Sequence, residues 1–379
     1  RVTNELEETL FLDQVQLVAI AHPADVAIFP NEGMTDPPKP HRLHPVAHVR
    51  PVVRVSDEHG HDVTARVAAR DWQAPDDFTL AAIRGYAEPH ALTIDVGHVS
   101  RPVLLLTAWT DYAFSSDNVA AQQAGLTSEL PSLSVQDAAG RWRPLNVTIG
   151  LPVGRPQTIA VDLAGQLRRG EHVVRLATNM RIYWDQVAVG EAAVAQPRVD
   201  TLDAATAVLS ERGFSAEVRA DRHRPTLYDY HQVTLTSPWK AMAGHFTRLG
   251  DVRTLLAATD DQFVIARPGD EVALQFPATA LAPLPNGWTR TYLLRADGFS
   301  KEMDPNSGSP YTVEPLPFHR MTRYPYDSTR ERYPETAATR AWRDAFNTRP
   351  SLRPLPPLAA PSSPLAGQAP PSASSTGGH

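Results

Sequence analysis

Proline is the residue that most limits what this chain can fold into. The sequence of 379 residues contains 35 prolines and 21 glycines. Each proline removes a backbone N–H donor and breaks the interior of a helix, so this density argues against an all-helical fold. The chain is also long enough to hold two or three domains with substantial cores.

The charge and cysteine content argue against several classes of function. The 36 basic and 42 acidic residues give a net charge of -6, and the arginines are scattered, so we predict no nucleic-acid partner. The sequence contains no cysteine, which excludes disulfides, thiolate zinc sites and a cysteine nucleophile. It has no apolar run of the roughly 20 residues needed to cross a bilayer, so we predict no transmembrane segment.

Segments with the length and alternation of β-strands dominate residues 91–194. They are ALTIDV, VLLLTAW, LSVQDAAGRWRPL, QTIAVDL, HVVRLAT and IYWDQVAV. A helix is predicted at 116–125, with Ser116 or Asp117 as its cap and Gly125 at its end. Strands at this spacing with few helices predict a jelly-roll-like β-sandwich.

The flanking regions complete a mostly β chain with few short helices. Residues 1–90 contain strand-like runs and a hairpin around Gly60, and we expect them to pack on the sandwich. Residues 195–349 predict a second β-rich unit that ends in a helix at 334–348. Trp342 and Phe346 share one face of that helix, which would suit an interaction role if it is exposed. Residues 350–379 are mostly Pro, Ser, Ala and Gly, which predicts a disordered tail.

Three blocks of the sequence resemble a known family. They are RPLNVTIGLPVGRPQTIAVDLAG with HVVRLATNMRIYWDQVAV, FTRLGDVRTLLAATDDQFVIARPGDEVALQF, and LLRADGFSKEMDPNSGSPYTVEPLPFHRMTRYPY. These blocks resemble the region downstream of FG-GAP propeller repeats in bacterial ASPIC/UnbV proteins, relatives of cartilage acidic protein. The resemblance covers residues 4 to about 349. Residues 163–189 are also similar to a galactose-binding-like jelly roll.

The resemblance has consequences for location and partners. It implies a secreted or cell-envelope-associated bacterial protein, and an upstream propeller domain of the same polypeptide as a partner. Because the chain opens with Arg1 and shows no basic-then-apolar leader, we expect a fragment or a processed product of a longer protein. The family implies no assigned activity for this region, and the calcium loops of FG-GAP repeats do not occur in the sequence.

The first candidate for ligand binding is the pair Tyr183 and Asp185. The ring of Tyr183 would stack on a sugar while Asp185 accepts hydrogen bonds from its hydroxyls. Strand alternation also allows a purely structural role, in which Ile182 and Trp184 lie in the core and the pair faces outward or anchors a turn.

The second candidate for ligand binding follows the VLLLTAW strand. Polar side chains beside a helix N-terminus can bind an anion or a hydroxylated ligand. Helix capping and aromatic packing would equally account for these residue types. The residues are Asp111, Tyr112, Asp117 and Asn118.

Two groups of residues are weighed as metal sites. Asp304 and Asn306 alternate as calcium ligands do, which makes calcium the one cofactor considered. The EF-hand pattern fails because Gly308 is fifth in the loop and Glu314 eleventh, and an ordinary Asx turn is the alternative. The histidine-containing stretches 41–48 and 57–62 also offer donors, although prolines interrupt the first and surface turns are polar anyway.

These patterns predict a non-catalytic accessory or binding module for carbohydrate or a protein partner. The sequence has no P-loop, G-x-S-x-G or H-E-x-x-H motif, so we predict no enzyme. One alternative is a polysaccharide hydrolase with a carboxylate pair such as Asp111 and Asp185. Another is a structural domain that braces an upstream β-propeller.

Overall fold

Strand-forming residues determine the architecture of this chain. The computed structural model describes residues 1–218 and 224–351. Strands make up 44% and helices 9% of it, in several antiparallel sheets, which confirms the mostly β prediction. The predicted tail lies outside the described residues from position 352 onward.

The elements are as follows. Up to residue 192 the strands are β1 (Val2–Thr3), β2 (Glu8–Pro23), β3 (Val26–Pro30), β4 (Leu43–Pro51), β5 (Arg54–Ser56), β6 (Tyr86–Asp95), β7 (Pro102–Thr110), β8 (Ser132–Gln136), β9 (Trp142–Pro144), β10 (Gln157–Asp162), β11 (Val173–Met180) and β12 (Ile182–Ala192). Then come β13 (Arg198–Asp203), β14 (Thr206–Glu211), β15 (Phe214–Val218), β16 (Leu227–Thr234), β17 (Gly244–Phe246), β18 (Gly250–Asp251), β19 (Val264–Ala266), β20 (Asp270–Gln275), β21 (Trp288–Glu302) and β22 (Arg349–Ser351). The helices are α1 (Ser115–Gln123), α2 (Ala337–Phe346) and the 3-10 helices Thr64–Val67, Arg253–Leu256 and Ala278–Ala280.

Two five-stranded antiparallel sheets pack face to face and form the unit that we call the sandwich. Their strand orders are β10-β7-β12-β4-β3 and β5-β6-β11-β8-β9. Alternate side chains of a strand point to the same face, and those that point inward form one apolar core, with Leu104 and Leu106 from one sheet and Ile94 and Leu176 from the other. Strands from residues 26–95 belong to both sheets, so this part of the chain contributes to the sandwich itself.

The second unit is built around the long strand β2. Antiparallel pairing with β21 runs from Glu8↔Glu302 to Pro23↔Trp288. The other edge of β2 pairs with β13 and β19, while β1, β20, β14 and β18 form a further sheet. The core of this unit contains Phe246, Phe263 and Trp342.

Helix α2 packs into the second unit. Trp342 is buried, and its indole N–H donates a 3.1 Å hydrogen bond to the carbonyl oxygen of Phe263. Phe346 packs against the same core. The aromatic face therefore does not offer the exposed docking surface considered from the sequence.

Apolar and polar contacts join the two units. Ile20 of β2 packs with Val26 and Ile28 of β3. On the polar side, the N-terminus of α1 contacts the loop after β21, where Asp304 accepts hydrogen bonds from Ser116. Among the described residues, no helix has the length and apolarity that a bilayer crossing requires.

Candidate functional site

A cleft of about 500 Å³ lies where one end of the sandwich meets the second unit. We call it the aromatic cleft, because six aromatic side chains line it. They are Trp109, Tyr112, Phe114, Tyr228, Tyr230 and Trp239. Charged and amide side chains stand among these rings, namely Asn4, Glu5, Glu8, Arg84 and Glu217.

The sandwich side of the cleft is organised by Arg84. Its Nε donates a 2.8 Å hydrogen bond to Asp111, which also pairs with Arg181 at 3.3 Å. The guanidinium carbon lies 4.3 Å from the ring centroid of Phe114, a cation–π geometry. The ring of Tyr112 meets Phe114 edge to face at 5.5 Å. Asp111 therefore holds Arg84 against the ring of Phe114 and does not itself line the cleft.

The opposite side of the cleft comes from the β15–β16 hairpin. Tyr228 and Tyr230 are two residues apart on β16, so both rings lie on the same face of the hairpin. Tyr230 is 58% exposed, which leaves its ring open to a ligand. Burial, together with the negative charges of Glu217 and Glu5, raises the pKa of Tyr228 to about 12. Its hydroxyl therefore stays a hydrogen-bond donor at neutral pH.

Glu5 anchors the segment between these two sides. Its carboxylate accepts hydrogen bonds from Arg212 at 3.1 Å and from the backbone and hydroxyl of Ser215, both at 2.8 Å. The carbonyl oxygen of Glu5 accepts a 2.7 Å hydrogen bond from the indole of Trp239. These contacts hold the N-terminal segment, the hairpin and Trp239 in one arrangement, so part of the cleft is fixed before any ligand binds.

Glu8, one of the carboxyls that line the cleft, is partly buried and faces another carboxyl. Burial raises its pKa, a hydrogen bond from Ser300 lowers it, and the charge of Glu302 raises it further. Glu302 lies directly opposite Glu8 in the β2–β21 pairing. The net effect is a carboxyl that holds its proton to a higher pH than an ordinary glutamate.

Neither Tyr183 nor Asp185 lines this cleft. Tyr183 is 3% exposed, stacks on Trp109 at 4.9 Å and packs with Phe78. A ring this covered has no open face for a sugar, so the predicted platform does not fit this structure. The physical reason is that Phe78 and its neighbours cover the outer face of the sheet, which strand alternation alone had left open to solvent.

Asp185 lies in a β-bulge of β12 and anchors a loop. Its Oδ1 accepts hydrogen bonds from the backbone of Trp72 at 2.6 Å and Asp71 at 3.3 Å. Burial raises its pKa despite these two donors. Since Arg84 and Arg181 hold Asp111, the structure gives Asp111 and Asp185 separate structural tasks.

Asp117 and Asn118 belong to the first turn of α1. Phe114, rather than Ser116, is the residue that precedes the helix, and its backbone N–H donates a 2.9 Å hydrogen bond to Asp117. Asn118 accepts a 3.3 Å hydrogen bond from the hydroxyl of Tyr86. Of the four residues predicted after the VLLLTAW strand, Tyr112 is the one that lines the cleft.

Asp304 and Asn306 take part in internal hydrogen bonds. Asp304 accepts from the backbone of Ser116 at 3.1 Å, from its hydroxyl at 2.7 Å, and from the backbone of Asn306 at 2.8 Å. The amide of Asn306 donates to the same hydroxyl at 2.8 Å. The loop therefore holds the N-terminus of α1, and these hydrogen bonds already use both carboxylate oxygens of Asp304.

The histidine stretches do not assemble a metal site in the described residues. Asp57 accepts hydrogen bonds from the backbones of His59 and His61 and from the ring of His61, as a polar turn does. Within those residues, the group that brings three donors within 4.8 Å of one another lies elsewhere, at Asp13, Asp261 and His319.

A larger groove of about 750 Å³ runs between β3, β4 and the β2–β21 sheet. Its aromatic side chains are Tyr292 and His41, and it is lined by three arginines. Six aromatic side chains make the smaller aromatic cleft the better candidate for a ligand with apolar ring faces.

Most of the cleft could not be recognised from sequence. Glu5, Glu8 and Arg84 are far from the hairpin in the chain and carry no motif. The exception is the alternation Tyr228-Asp229-Tyr230, which places two aromatic rings on one strand face and could have been recognised. No protein-family model, no curated protein and no solved structure matches this chain.

Proposed function

We propose that this chain is a non-catalytic carbohydrate-binding module and that the aromatic cleft is its binding site. The observation that carries this proposal is the combination of six aromatic side chains with carboxylates and an arginine in one cleft of about 500 Å³. Ligand sites have volumes of roughly 300 to 1,000 Å³ and combine apolar walls with a few polar groups.

The chemistry of the cleft matches that of a sugar ring. The C–H face of a pyranose is apolar and packs on aromatic rings, and Tyr230 and Phe114 are both exposed enough to offer one. Hydroxyl groups at the sugar edge need donors and acceptors, which Arg84, Glu217 and the Tyr228 hydroxyl supply. An aromatic-rich cleft with both kinds of group selects a hydroxylated ring over a purely apolar ligand.

The wider setting of the module rests on sequence alone. The resemblance to ASPIC/UnbV proteins supports an exported bacterial protein with an upstream propeller, and the face-to-face sheets of the sandwich are compatible with a jelly-roll-like, galactose-binding-like fold. In that setting the module would carry a glycan contact for the larger protein.

The test is a glycan array followed by titration of the best ligand into the wild-type protein and its variants. We expect Phe114→Ala and Tyr230→Ala each to weaken binding by about fivefold, since a stacked ring contributes on the order of 1 kcal/mol. The matched control is Tyr311→Ala, because Tyr311 is similarly exposed but lies outside the cleft lining. Thermal melts of all three variants report whether they are folded.

Two results would contradict the proposal. Absence of any glycan ligand for the wild-type protein would remove the carbohydrate as the occupant and favour a protein partner or a bracing role. Binding that Tyr311→Ala weakens as much as Tyr230→Ala would place the site outside the cleft.

The raised pKa of Glu8 favours a second candidate function, a polysaccharide hydrolase. A carboxyl that keeps its proton is what a general acid requires, and Glu217 would then be the second carboxylate of the pair. Hydrolysis would be established if the wild-type protein releases reducing ends from a glycan that binds on the array and Glu8→Gln does not. Binding with no release leaves the module non-catalytic.

A further inference from the structure

A cluster of donor atoms lies within the second unit, on segments that are distant in the sequence. Asp13 is part of β2, Asp261 precedes β19, and His319 lies in the long loop after β21. One potential ligand atom from each of the three residues lies within 4.8 Å of the other two.

His319 is the centre of this cluster. Its Nδ1 lies 2.6 Å from Asp261 Oδ1 and 3.5 Å from Asp13 Oδ2. Its Nε2 lies 2.7 Å from Asp297 Oδ1 on β21. One ring nitrogen therefore faces two carboxylates, while the other is held by a third.

The buried carboxylate of Asp13 gives an independent indication of a ligand. Asp13 is 0% exposed, and its Oδ2 accepts a 2.9 Å hydrogen bond from the backbone of Asp261. Its Oδ1 is buried and has no hydrogen-bond partner among the described residues. A buried anionic oxygen without a donor is costly, and a cation is the kind of partner that would satisfy it.

The backbone holds Asp13 rigidly in this position. The β2–β21 register shifts between Leu12 and Gln14, so Asp13 lies in a β-bulge, a device that redirects a side chain. Opposite the bulge, Gly298 has a φ of 151°, and a Cβ there would lie 2.0 Å from the carbonyl oxygen of Phe11. The close approach of the two strands therefore requires glycine next to Asp297.

We propose that Asp13, Asp261 and the Nδ1 atom of His319 bind a divalent transition-metal ion such as Zn²⁺. One imidazole nitrogen and two carboxylates form a donor set that Zn²⁺ accepts, with a fourth position left for water. Asp297 on Nε2 reproduces the carboxylate–histidine arrangement that orients a metal-binding imidazole. The side chain of His319 is 32% exposed, which gives the ion a route from solvent.

The expected consequence is structural. An ion bound to these residues would join β2, the segment before β19 and the loop after β21. Because it binds the folded chain and not the unfolded one, it would raise the melting temperature in proportion to the logarithm of its concentration. This site is independent of the aromatic cleft and does not require that cleft to bind carbohydrate.

The experiment titrates ZnCl₂ into chelator-stripped full-length protein by calorimetry at pH 7.5, with CaCl₂ in a parallel titration. We expect one Zn²⁺ per chain and a melting temperature that rises by several degrees. His319→Gln and Asp261→Asn should abolish both effects. Asp297→Asn, at a positioning residue, should weaken binding by about 10- to 100-fold while keeping the stoichiometry.

The matched control is His61→Gln. His61 pairs with Asp57 in a surface turn, and it should take no part in the proposed metal site. Chemical modification of the wild-type protein tests the site without any variant, and so remains informative if a variant fails to fold. Zn²⁺ should protect His319 from carbethoxylation by about tenfold, as read by mass spectrometry. Three results would each overturn the proposal. The wild-type protein could bind no stoichiometric Zn²⁺, Zn²⁺ could leave the rate of carbethoxylation of His319 unchanged, or Zn²⁺ binding could be lost in His61→Gln instead.

Discussion

The sandwich and the second unit bury their interiors in different ways. The core between the two five-stranded sheets is a continuous apolar cluster, mostly of Val, Leu and Ile side chains, with Ala108, Met180 and Trp184. The second unit also buries the charged residues Glu5, Asp270, Glu271 and Lys301. The three carboxylates among them form ion pairs with distant arginines, whereas the buried Asp57 and Asp185 of the sandwich accept hydrogen bonds from loop backbone. The difference shows that the sandwich depends on patterning along each strand, whereas the second unit depends on pairing between distant residues.

The charge pairs of the second unit connect elements that β-pairing does not. Glu5 meets Arg212 across 207 residues, and Asp270 meets Arg349 across 79. A buried pair adds little net stability over apolar packing, but an unpaired buried charge is very unfavourable. These pairs therefore serve to fix which segments meet, and the unit should be sensitive to the loss of either partner.

The largest effect should follow from removing Arg349, the arginine closest to Asp270. The backbone N–H of Arg267 still donates a 2.9 Å hydrogen bond to this carboxylate, and the Nε of Arg267 lies 3.9 Å away. Arg349→Ala leaves this carboxylate buried without the two hydrogen bonds from the guanidinium, one of them 3.0 Å long. We expect the free energy of unfolding to fall by about 3–5 kcal/mol, measured by chemical denaturation. Arg141→Ala is the matched control, because Arg141 pairs with Asp137 while 82% exposed, and should cost less than about 1 kcal/mol. Equal losses in the two variants would mean that burial of the pair has no energetic consequence.

The sandwich should respond to loss of volume rather than of charge. Leu106 is fully buried between the sheets, so Leu106→Ala removes apolar contacts and leaves a cavity. We expect a loss of about 3 kcal/mol in the free energy of unfolding. The loss should be the same at pH 6 and pH 9, since no titrating group is involved. A loss that changes with pH would show that the sandwich core is coupled to charged groups elsewhere.

The same distinction explains how much could be predicted from sequence. The short apolar run VLLLTAW and the alternation in IYWDQVAV indicated the strands β7 and β12, because each strand carries its own pattern. The face-to-face pairing of the two sheets also agrees with the spacing of these strands. Asp185 occupies the extra position of a β-bulge in β12, and its burial depends on the loop around Trp72; no periodicity in the sequence encodes either feature.

The candidate sites show the limit more sharply. Tyr112 could be identified from sequence because it follows a segment that is clearly a strand. Glu5 and Arg84 line the cleft only because the fold brings distant segments together. Asp13 and His319 are separated by 306 positions, and nothing local to either residue marks it as a ligand. Sequence patterns report local conformation, and these sites are made by tertiary contacts.

Lys301 should make the stability of the second unit depend on pH in the alkaline range. Its ammonium is buried and donates to the carbonyl oxygens of Thr312 at 2.6 Å and Val313 at 3.1 Å. Burial lowers the pKa of Lys301 from 10.5 to about 8, and the nearby Glu314 opposes that shift. Between these two pH values the unfolded chain holds a proton that the folded chain has released, so the free energy of unfolding rises with pH.

We expect this rise to amount to about 1–2 kcal/mol between pH 7.5 and 9.5, after allowance for partial solvation of the group. Denaturation of the wild-type protein and Lys301→Met across this range measures it. Working below pH 9.5 avoids most of the tyrosine titration. If the free energy of unfolding changes equally with pH in the two proteins, the pH dependence belongs to a group other than Lys301.

The smallest effect should appear where the two units meet. Asp304 of the second unit caps the first turn of α1, which belongs to the sandwich side, through the backbone and hydroxyl of Ser116. Burial by itself would raise the pKa of Asp304, but the hydrogen bonds from Ser116 and Asn306 outweigh it and hold that pKa below its ordinary value. The stabilisation is therefore present at neutral pH and is lost as the pH falls through the carboxyl's titration.

Asp304→Ala should lower the stability of α1 by about 1 kcal/mol, the usual effect of losing a helix cap. Hydrogen exchange at pH 7 measures it, with faster exchange expected for the backbone amides at the start of α1 and no change in β7. Asp117→Ala, which removes the hydrogen bond to the backbone of Phe114 from within the helix, is the matched comparison. Because Asp304 reaches α1 from the other unit, faster exchange in Asp304→Ala would show that the second unit stabilises a helix of the sandwich side. Unchanged exchange in Asp304→Ala, with faster exchange in Asp117→Ala, would show that α1 is stabilised from within and that the two units are energetically separate at this contact.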